Sequence, residues 1–243
     1  MAERKRAPKS AEPERIGAET KTSERTILRM CRYLQALEDF ASRGITVVAS
    51  HHISEKVGVK PGLIRKDLCS FGGFGRPSMG YNVAYLQKKI REILRIDEPK
   101  KVAWIGVDHF ACDPNRTKKF AARNCVITAI FDSTAAWIGK RVGDLQVLST
   151  DEIEPTVRKL GIEGAIITSS QENAQELVTS LAAGGVRAIL NLSPSVAAAP
   201  PGVFLRNVDV AGELLTLCFL ARDRQEKAED DIISRDKTEP QEL

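Results

Sequence analysis

The chain has 243 residues, of which 42% are hydrophobic and 28% are charged, and its formal net charge is +4. This length and apolar content allow two globular domains, no apolar run approaches the length of a membrane span, and the N-terminus lacks the apolar core of a signal peptide. The 5 cysteines form no CxxC pair and the 3 histidines lack metal-ligand spacing, so we expect no disulfide framework, no metal site and a cytoplasmic location.

The first part of the chain is predicted to be helical after a polar tail. Residues 1–22 show no apolar periodicity and are expected to be disordered. A helix is predicted from Ser23 to Ser42, because apolar residues recur there at helical spacing. A short helix over 51–57 follows, with Ser50 as its cap and Gly58 as its stop.

The stretch at residues 61–81 reads PGLIRKDLCSFGGFGRPSMGY and carries the strongest functional signal. Pro61 suits the first position of a helix, because its missing N–H would be unpaired there anyway. Leu63, Ile64 and Leu68 can share one face of that helix, which leaves Arg65 and Lys66 for another face.

Glycines then break this basic helix, and three aromatic residues, Phe71, Phe74 and Tyr81, are available to pack with the glycine loop. A helix, a short turn and a basic helix form the layout of a DNA-reading helix-turn-helix, and the glycine loop would be its wing. The alternative is a solvated basic helix in an ordinary small helical domain. Residues 23–100 carry 14 basic and 8 acidic side chains, a net charge of +6, which favours a phosphate-binding surface.

After one more helix, marked by apolar residues from Val83 to Leu94, the polar segment Asp97-Glu98-Pro99-Lys100 predicts a domain boundary. Beyond it, short apolar runs alternate with helical stretches, which indicates a parallel sheet with helices on both faces. The predicted strands lie at 102–106, 126–131, 165–168 and 188–192, the predicted helices at 151–160, 171–184 and 209–220.

The first of these strands ends where a dinucleotide-binding domain begins its phosphate loop, for which the pattern is G-x-G-x-x-G/A. Gly106 supplies the first glycine, but Asp108 occupies the position of the second. Its carboxylate would repel a phosphate by about 3 kcal/mol at roughly 5 Å and an effective dielectric constant of about 20. Pro114 delays or limits the following helix. Asp132, after the second strand, could bind an adenosine ribose or be a strand-terminal turn residue.

Several motifs resemble the Rex family of redox-sensing transcriptional repressors, over about residues 24–221. RKDLCSFGGFG followed by MGYNV resembles the winged-helix signature of that family, AILNLSP at 188–194 resembles its ILNFAP loop, and NVDVAGEL at 207–214 resembles the start of its C-terminal helix. The resemblance implies a homodimer that binds a palindromic operator. It also implies a Rossmann domain that binds NADH or NAD⁺, with release of the DNA when NADH is bound. It also implies a C-terminal helix exchanged between subunits.

We therefore expect an α/β protein with an N-terminal winged helix-turn-helix domain, a Rossmann-like doubly wound parallel-sheet domain and a swapped C-terminal helix. The expected segments are a disordered tail at 1–22, the winged-helix domain at 23–98, the Rossmann-like domain at 99–206, the dimerisation helix at 207–221 and a disordered tail at 222–243.

The resemblance places DNA contacts on the basic helix and the wing, at Lys60, Arg65, Lys66, Ser70 and Arg76. Pro77 replaces a second basic wing residue, which is expected to weaken the wing contacts.

The sensing positions depart from the family pattern. Ser169-Ser170 replaces a Val-Pro pair that lines the cofactor site. Thr117 and Gln35 replace a tyrosine and an arginine between which the acid aligned with Asp209 switches in some members. Asp132, Asn191 and Pro194 are retained as candidate NAD(H) contacts, although each also fits a role in maintaining the fold.

The sequence thus predicts an operator-binding repressor, and not an enzyme, whose response to NADH or NAD⁺ is weak or lost. A fully NADH-responsive repressor is the alternative. The competing classes are a nucleotide-dependent oxidoreductase, for which no motif places a hydride-transfer acid or base, and a CoA-binding protein, which the altered loop does not exclude. Neither a metal nor a membrane partner is expected.

Overall fold

A computed structural model describes residues 22–72, 74, 79–107, 114–169 and 173–236, without the side chains at 114–117, 225 and 227–236. The chain forms two compact units, which divide between Arg95 and Ile96, a few residues before the expected boundary. The tail at residues 1–21, expected to be disordered, lies outside the described part of the chain.

The first unit is a helical domain with a small two-stranded ladder. Its elements are α1 (Glu24–Ser42), β1 (Val47–Val48), α2 (Ser50–Val57), α3 (Pro61–Ser70), β2 (Tyr81–Asn82) and α4 (Val83–Ile93). The hydroxyl of Ser23 accepts the N–H of Thr26 at 3.3 Å and so caps α1. The apolar stripe that predicted α1 forms its buried face, which packs against α4 and α2.

The second unit is built on one seven-stranded sheet. Its elements are β3 (Lys100–Ile105), α5 (Pro114–Ala121), β4 (Cys125–Asp132), β5 (Arg141–Val142), β6 (Leu145–Ser149), a 3₁₀ turn (Thr150–Glu152), α6 (Ile153–Leu160), β7 (Gly164–Ile167), α7 (Ala174–Gly184), β8 (Ala188–Asn191), β9 (Phe204–Asn207) and α8 (Val210–Asp236).

The strand order β5-β6-β4-β3-β7-β8-β9 confirms the predicted doubly wound parallel sheet. Every neighbouring pair is parallel except β5 with β6. The chain starts at β3 in the middle and winds outwards on both sides, so the carboxyl ends of β3 and β7 border the point where the winding direction reverses. In sheets of this kind, ligands bind in the crevice at that point.

Both faces of the sheet are apolar, because the strands are buried from two sides. Ala103 and Ile105 of β3 face the core that α6 and α7 cover. Val102 and Trp104 face the opposite core, where the rings of Trp104 and Phe120 of α5 meet edge to face at 5.8 Å.

Two features differ from the sequence-based expectations. The short strands β5, β6 and β9 were not predicted, because they have only two to five residues. Helix α8 continues to Asp236, so the expectation of disorder is wrong for residues 222–236. Strong helix formers (Arg, Lys, Glu, Gln and Ala) supply 8 of the 15 residues at 222–236; residues 237–243 lie outside the described part.

Candidate functional site

The predicted helix-turn-helix is present in the first unit. Gly58 ends α2 with a φ of 67°, a left-handed conformation that glycine adopts without steric cost. Pro61 begins α3 after Lys60, as expected. Ser50, however, is the first residue of α2 and not its cap. The backbone N–H of Ala49 instead donates to Nδ1 of His52 at 3.1 Å, because a histidine ring at this position reaches back to the start of the helix.

The predicted DNA-contact side chains that fall within the described residues are all exposed: Lys60, Arg65, Lys66 and Ser70. Arg65 donates from Nη1 to the hydroxyl of Ser50 at 2.9 Å, which holds its guanidinium beside the first turn of α2. In helix-turn-helix proteins the first of the two helices crosses the DNA backbone. Arg76 and Pro77 of the wing lie outside the described residues.

A buried carboxylate on α3, missed in the sequence analysis, docks this helix on α1. Asp67 is 5% exposed. Arg29 donates to it from Nε at 2.6 Å and from Nη2 at 2.7 Å, and the hydroxyl of Tyr33 donates at 2.8 Å. Burial alone would raise the pKa of Asp67, but the hydrogen bonds from Arg29 and Tyr33 hold it below its ordinary value. An acid between the core positions Ile64 and Leu68 was the available sequence signal.

The exposed face of α3 differs from the predicted one at a single position. Ile64 and Leu68 are buried as expected, whereas Leu63 is 40% exposed. The buried residues of α3 are Ile64, Asp67 and Leu68, so Asp67, and not Leu63, belongs to the inner face. Its two partners on α1 satisfy the buried carboxylate. One large apolar side chain therefore stands among the basic residues of α3.

The strand that follows the glycine loop belongs to a β ladder, as a wing requires. β2 pairs antiparallel with β1, with Val48 opposite Tyr81. Gly72 lies close to the ring of Phe74, which agrees with the predicted packing of aromatic residues on the glycine loop. Residues 73 and 75–78, the remainder of this loop, lie outside the described part of the chain.

The predicted cofactor residues of the second unit gather at the carboxyl edge of the sheet. Gly106 follows β3, Asp132 ends β4, and Asn191 ends β8. Thr168 and Ser169 follow β7 at the same edge. These strands are neighbours on both sides of β3, so the site is the crevice expected for a doubly wound sheet.

Gly106 is required by a close approach of two backbones. Its φ is 96°, and an added Cβ would lie 2.5 Å from the backbone nitrogen of Ser169. The neighbouring hydroxyl of Thr168 donates to the carbonyl oxygen of Gly106 at 3.1 Å and accepts the Nε1–H of Trp104 at 3.1 Å. These bonds hold the end of β7 against the end of β3. The glycine therefore has a structural reason independent of any ligand.

Asp132 is engaged by the backbone at this edge. Its carboxylate accepts the N–H of Val107 at 2.6 Å and the N–H of Thr134 at 2.7 Å, one on each oxygen. The residue is 7% exposed, which leaves little surface for the hydroxyls of a ribose. Asp108 and the loop to residue 113 lie outside the described residues. The described part of α5 runs from Pro114 to Ala121; the late start expected from Pro114 stays a prediction.

Asn191 is fully buried and organises the loop that follows β8. Its amide nitrogen donates to the carbonyl of Ser195 and to Oδ1 of Asn207, both at 2.7 Å. Its oxygen accepts the N–H and the hydroxyl of Ser193. These four hydrogen bonds account for the side chain without a ligand, and Pro194 in the same loop is exposed.

The candidate switch residues lie in different elements. Gln35 is exposed on α1, and Thr117 lies in α5 with its side chain outside the described set. Asp209 precedes α8, and its Oδ1 accepts the N–H of Gly212 at 3.0 Å, which is the geometry of a helix cap.

Helix α8 carries several large apolar side chains that are exposed in the single chain. Leu214, Leu215, Leu217 and Phe219 are each more than 60% exposed, and Leu220 is 47% exposed. Exposed apolar side chains on adjacent helical turns mark a surface that another chain or ligand covers.

A polar cleft of about 530 Å³ lies between α6 and α7, lined by Thr150, Asp151, Glu154, Asn173, Glu176, Leu177 and Ser180. Its three carboxylates oppose binding of a phosphate group, and none of these residues was predicted to hold a cofactor. Among the described residues, no group of three or more His, Cys, Asp or Glu could hold a metal ion. Within that same part of the chain, no helix is long and apolar enough to cross a membrane.

Two family models match the chain, one on each unit. Residues 21–69 match the family described as "Putative DNA-binding protein N-terminus", and residues 97–195 match the family described as "CoA binding domain". The first match covers α1 to α3, and the second covers the parallel sheet from β3 to the loop after β8.

Curated relatives match nearly their whole length. The chain is 38% identical over 199 residues to the redox-sensing transcriptional repressor Rex of Desulfitobacterium hafniense, which covers 82% of this chain and 95% of the relative. It is 35% identical over 202 residues to Rex of Carboxydothermus hydrogenoformans, with coverages of 83% and 97%.

Solved structures give the same result. A crystal structure of RSP in complex with β-NAD⁺ and operator DNA is 28% identical, has a TM-score of 0.75 and covers 89% of this chain and 99% of that chain. RSP in complex with β-NADH is 27% identical, with a TM-score of 0.76 and coverages of 87% and 99%. A third structure describes RSP as a Rex-family repressor.

Proposed function

Because the chain belongs to the Rex family of redox-sensing transcriptional repressors, we propose that it binds operator DNA through α3 and that its response to NADH or NAD⁺ is weak or lost. The family consists of repressors and not of enzymes, so the oxidoreductase alternative is set aside. The observation that carries the DNA-binding role is the exposed basic face of α3, which a buried ion pair fixes on α1.

The proposed DNA contacts are Lys60, Arg65, Lys66 and Ser70 on the helix-turn-helix, with Arg76 on the wing. Four of these side chains are exposed on one small unit, and the region from 23 to 100 has a net charge of +6. Cationic side chains on such a surface release counterions from DNA, which supplies most of the sequence-independent affinity. A repressor works where the chromosome is, so we propose a cytoplasmic location.

The proposed homodimer forms through α8. The five large apolar side chains on its first part are exposed in the single chain, and burial of each would contribute about 1.5–3 kcal/mol. A dimer also fits a two-fold symmetric operator, because each subunit then meets one half-site.

The proposed weak response to NADH rests on several altered positions. RSP has been solved in complex with β-NAD⁺ and with β-NADH, so the family pattern implies a nicotinamide dinucleotide as the cofactor. Asp132 is retained, but it is only 7% exposed and each of its oxygens already accepts one backbone N–H, which leaves it little exposed surface for a ribose. Asp108 adds a carboxylate where the pattern needs glycine, and Gln35 and Thr117 replace the two partners of the switching acid.

The deciding experiment measures affinity for operator DNA with and without ligand. Binding sites would be selected from a random DNA library with the purified chain, and the affinity of the best site would be followed by fluorescence anisotropy. We expect tight binding that changes little with NADH, NAD⁺ or CoA. Release of the DNA by micromolar NADH would contradict the weak response but not the repressor. Release by CoA would support the CoA-binding alternative, which the match of residues 97–195 favours.

A further inference from the structure

The first turn of α3 has two features that the fold of the chain does not explain. Gly62 and Leu63 follow Pro61 at the start of this helix, and both are exposed. The first residues of a recognition helix are those that reach base edges in helix-turn-helix proteins.

Leu63 is a large apolar side chain on an otherwise polar and basic surface. It is 40% exposed, whereas Ile64 and Leu68 of the same helix are at most 1% exposed. It precedes Lys66 by three residues, so the two side chains neighbour each other on the helix surface. Leu63 therefore extends the basic face of α3 with an apolar group that is free to meet a partner.

Gly62 has no conformational or packing reason to be glycine. Its backbone is not left-handed, and an added Cβ would meet only the guanidinium of Arg65, at 3.9 Å. Glycine is a weaker helix former than alanine. The missing side chain leaves the backbone of this first turn open to close approach by a partner.

We propose that Leu63 reads a thymine in each operator half-site by contact with the 5-methyl group, and that Gly62 allows the turn to come close to the base edges. This inference rests on the proposed placement of α3 in the DNA. In the major groove, the 5-methyl group is the apolar feature that distinguishes thymine, and apolar side chains recognise it. Leu63 then supplies specificity, while Arg65 and Lys66 supply polar contacts to bases or phosphates.

The test replaces single thymines of the selected operator by deoxyuridine, which removes only the 5-methyl group. For the unaltered protein, one position in each half-site should lose about fourfold in affinity, the value for burial of about one methyl group. Leu63→Ala should bind the thymine operator more weakly and should no longer distinguish thymine from deoxyuridine at that position. Leu28→Ala is the matched control, because Leu28 on α1 is also 40% exposed, and it should keep the full discrimination.

A second variant separates DNA contact from stability. Gly62→Ala should raise the thermal stability of the protein and lower its affinity for the operator, whereas a purely structural role would move both in the same direction. The proposal is overturned if no thymine position depends on its methyl group, or if Leu63→Ala retains the discrimination. A protein that selects no DNA site at all would instead contradict the proposed DNA contacts of α3.

Discussion

Arg29 on α1 donates hydrogen bonds from two nitrogens to the carboxylate of Asp67 on α3, at 2.6 and 2.7 Å, although the two residues are 38 positions apart in the sequence. The carboxylate is almost fully buried and the guanidinium is about one-fifth exposed. This pair joins the helix that carries the predicted DNA contacts to the longest helix of the first unit. It therefore stabilises the position of α3 on α1.

Asp67→Asn should destabilise the first unit by about 3 kcal/mol, because it leaves the partly buried guanidinium of Arg29 without its charged partner. Urea unfolding followed by circular dichroism measures the effect, and fluorescence of Trp104 and Trp137 reports the second unit as an internal reference. Glu92→Gln is the control, since the Lys89–Glu92 pair at 2.8 Å is exposed on both sides and such pairs contribute little. Equal effects of the two variants would contradict the role of the buried pair.

The same pair predicts a dependence of stability on pH. The pKa of Asp67 lies below its ordinary value of 3.8 in the folded protein. The stabilisation is therefore fully present above that ordinary value and is lost as the pH falls through the lower folded value. The difference in unfolding free energy between the unaltered protein and Asp67→Asn should shrink below about pH 4. A difference that stays constant to pH 2 would show that the charge of Asp67 is not involved.

Arg65→Ala and Lys66→Ala should each weaken operator binding, by about 1–3 kcal/mol where a base edge is contacted. If one of them contacts only phosphate, its replacement should instead lower the dependence of affinity on salt. Anisotropy titrations at several salt concentrations distinguish these outcomes. Lys88→Ala on α4 removes the same charge from an exposed position of the same unit and is the control. Unchanged affinity in both α3 variants would rule out α3 as the recognition helix.

Dimerisation should depend on the apolar part of α8 and not on its charged extension. Leu214→Glu combined with Leu217→Glu should yield monomers, since both side chains are more than 60% exposed in the single chain and charges there oppose burial. Light scattering gives the mass. Truncation after Ala221 should leave the dimer intact, whereas truncation after Asn207 should abolish it. A dimer that survives the latter truncation forms through another surface.

Restoring a response to NADH should require two kinds of change: one that improves dinucleotide binding and one that couples binding to release of the DNA. Asp108→Gly should recover dinucleotide affinity by a few kcal/mol, because it removes a carboxylate from the position where the sequence pattern requires a glycine close to the pyrophosphate. It should not by itself release DNA, since a ligand shifts an equilibrium only by its differential affinity for the two states. Adding Gln35→Arg and Thr117→Tyr should then restore release. Calorimetry measures the first effect and operator binding the second; release by Asp108→Gly alone would contradict this separation.

Much of the architecture was predictable, because it depends on local patterns. Apolar spacing located α1, α4 and the central strands, while Pro61 and Gly58 marked the ends of the turn before α3. Short strands such as β9 escaped prediction, since four residues at the edge of a sheet carry no periodicity that a loop could not show. The helical extension after residue 222 was missed because charged composition alone does not separate a helix from a disordered tail.

The sequence by itself determined the order of the elements, the concentration of positive charge in the first unit and the family to which the chain belongs. Only the tertiary structure decided that Asp67 is buried while Leu63 is exposed, although both positions fit the inner face of α3 by spacing. The physical reason is that a carboxylate can be buried only where partners satisfy it, and those partners, Arg29 and Tyr33, lie more than 30 residues away on another helix.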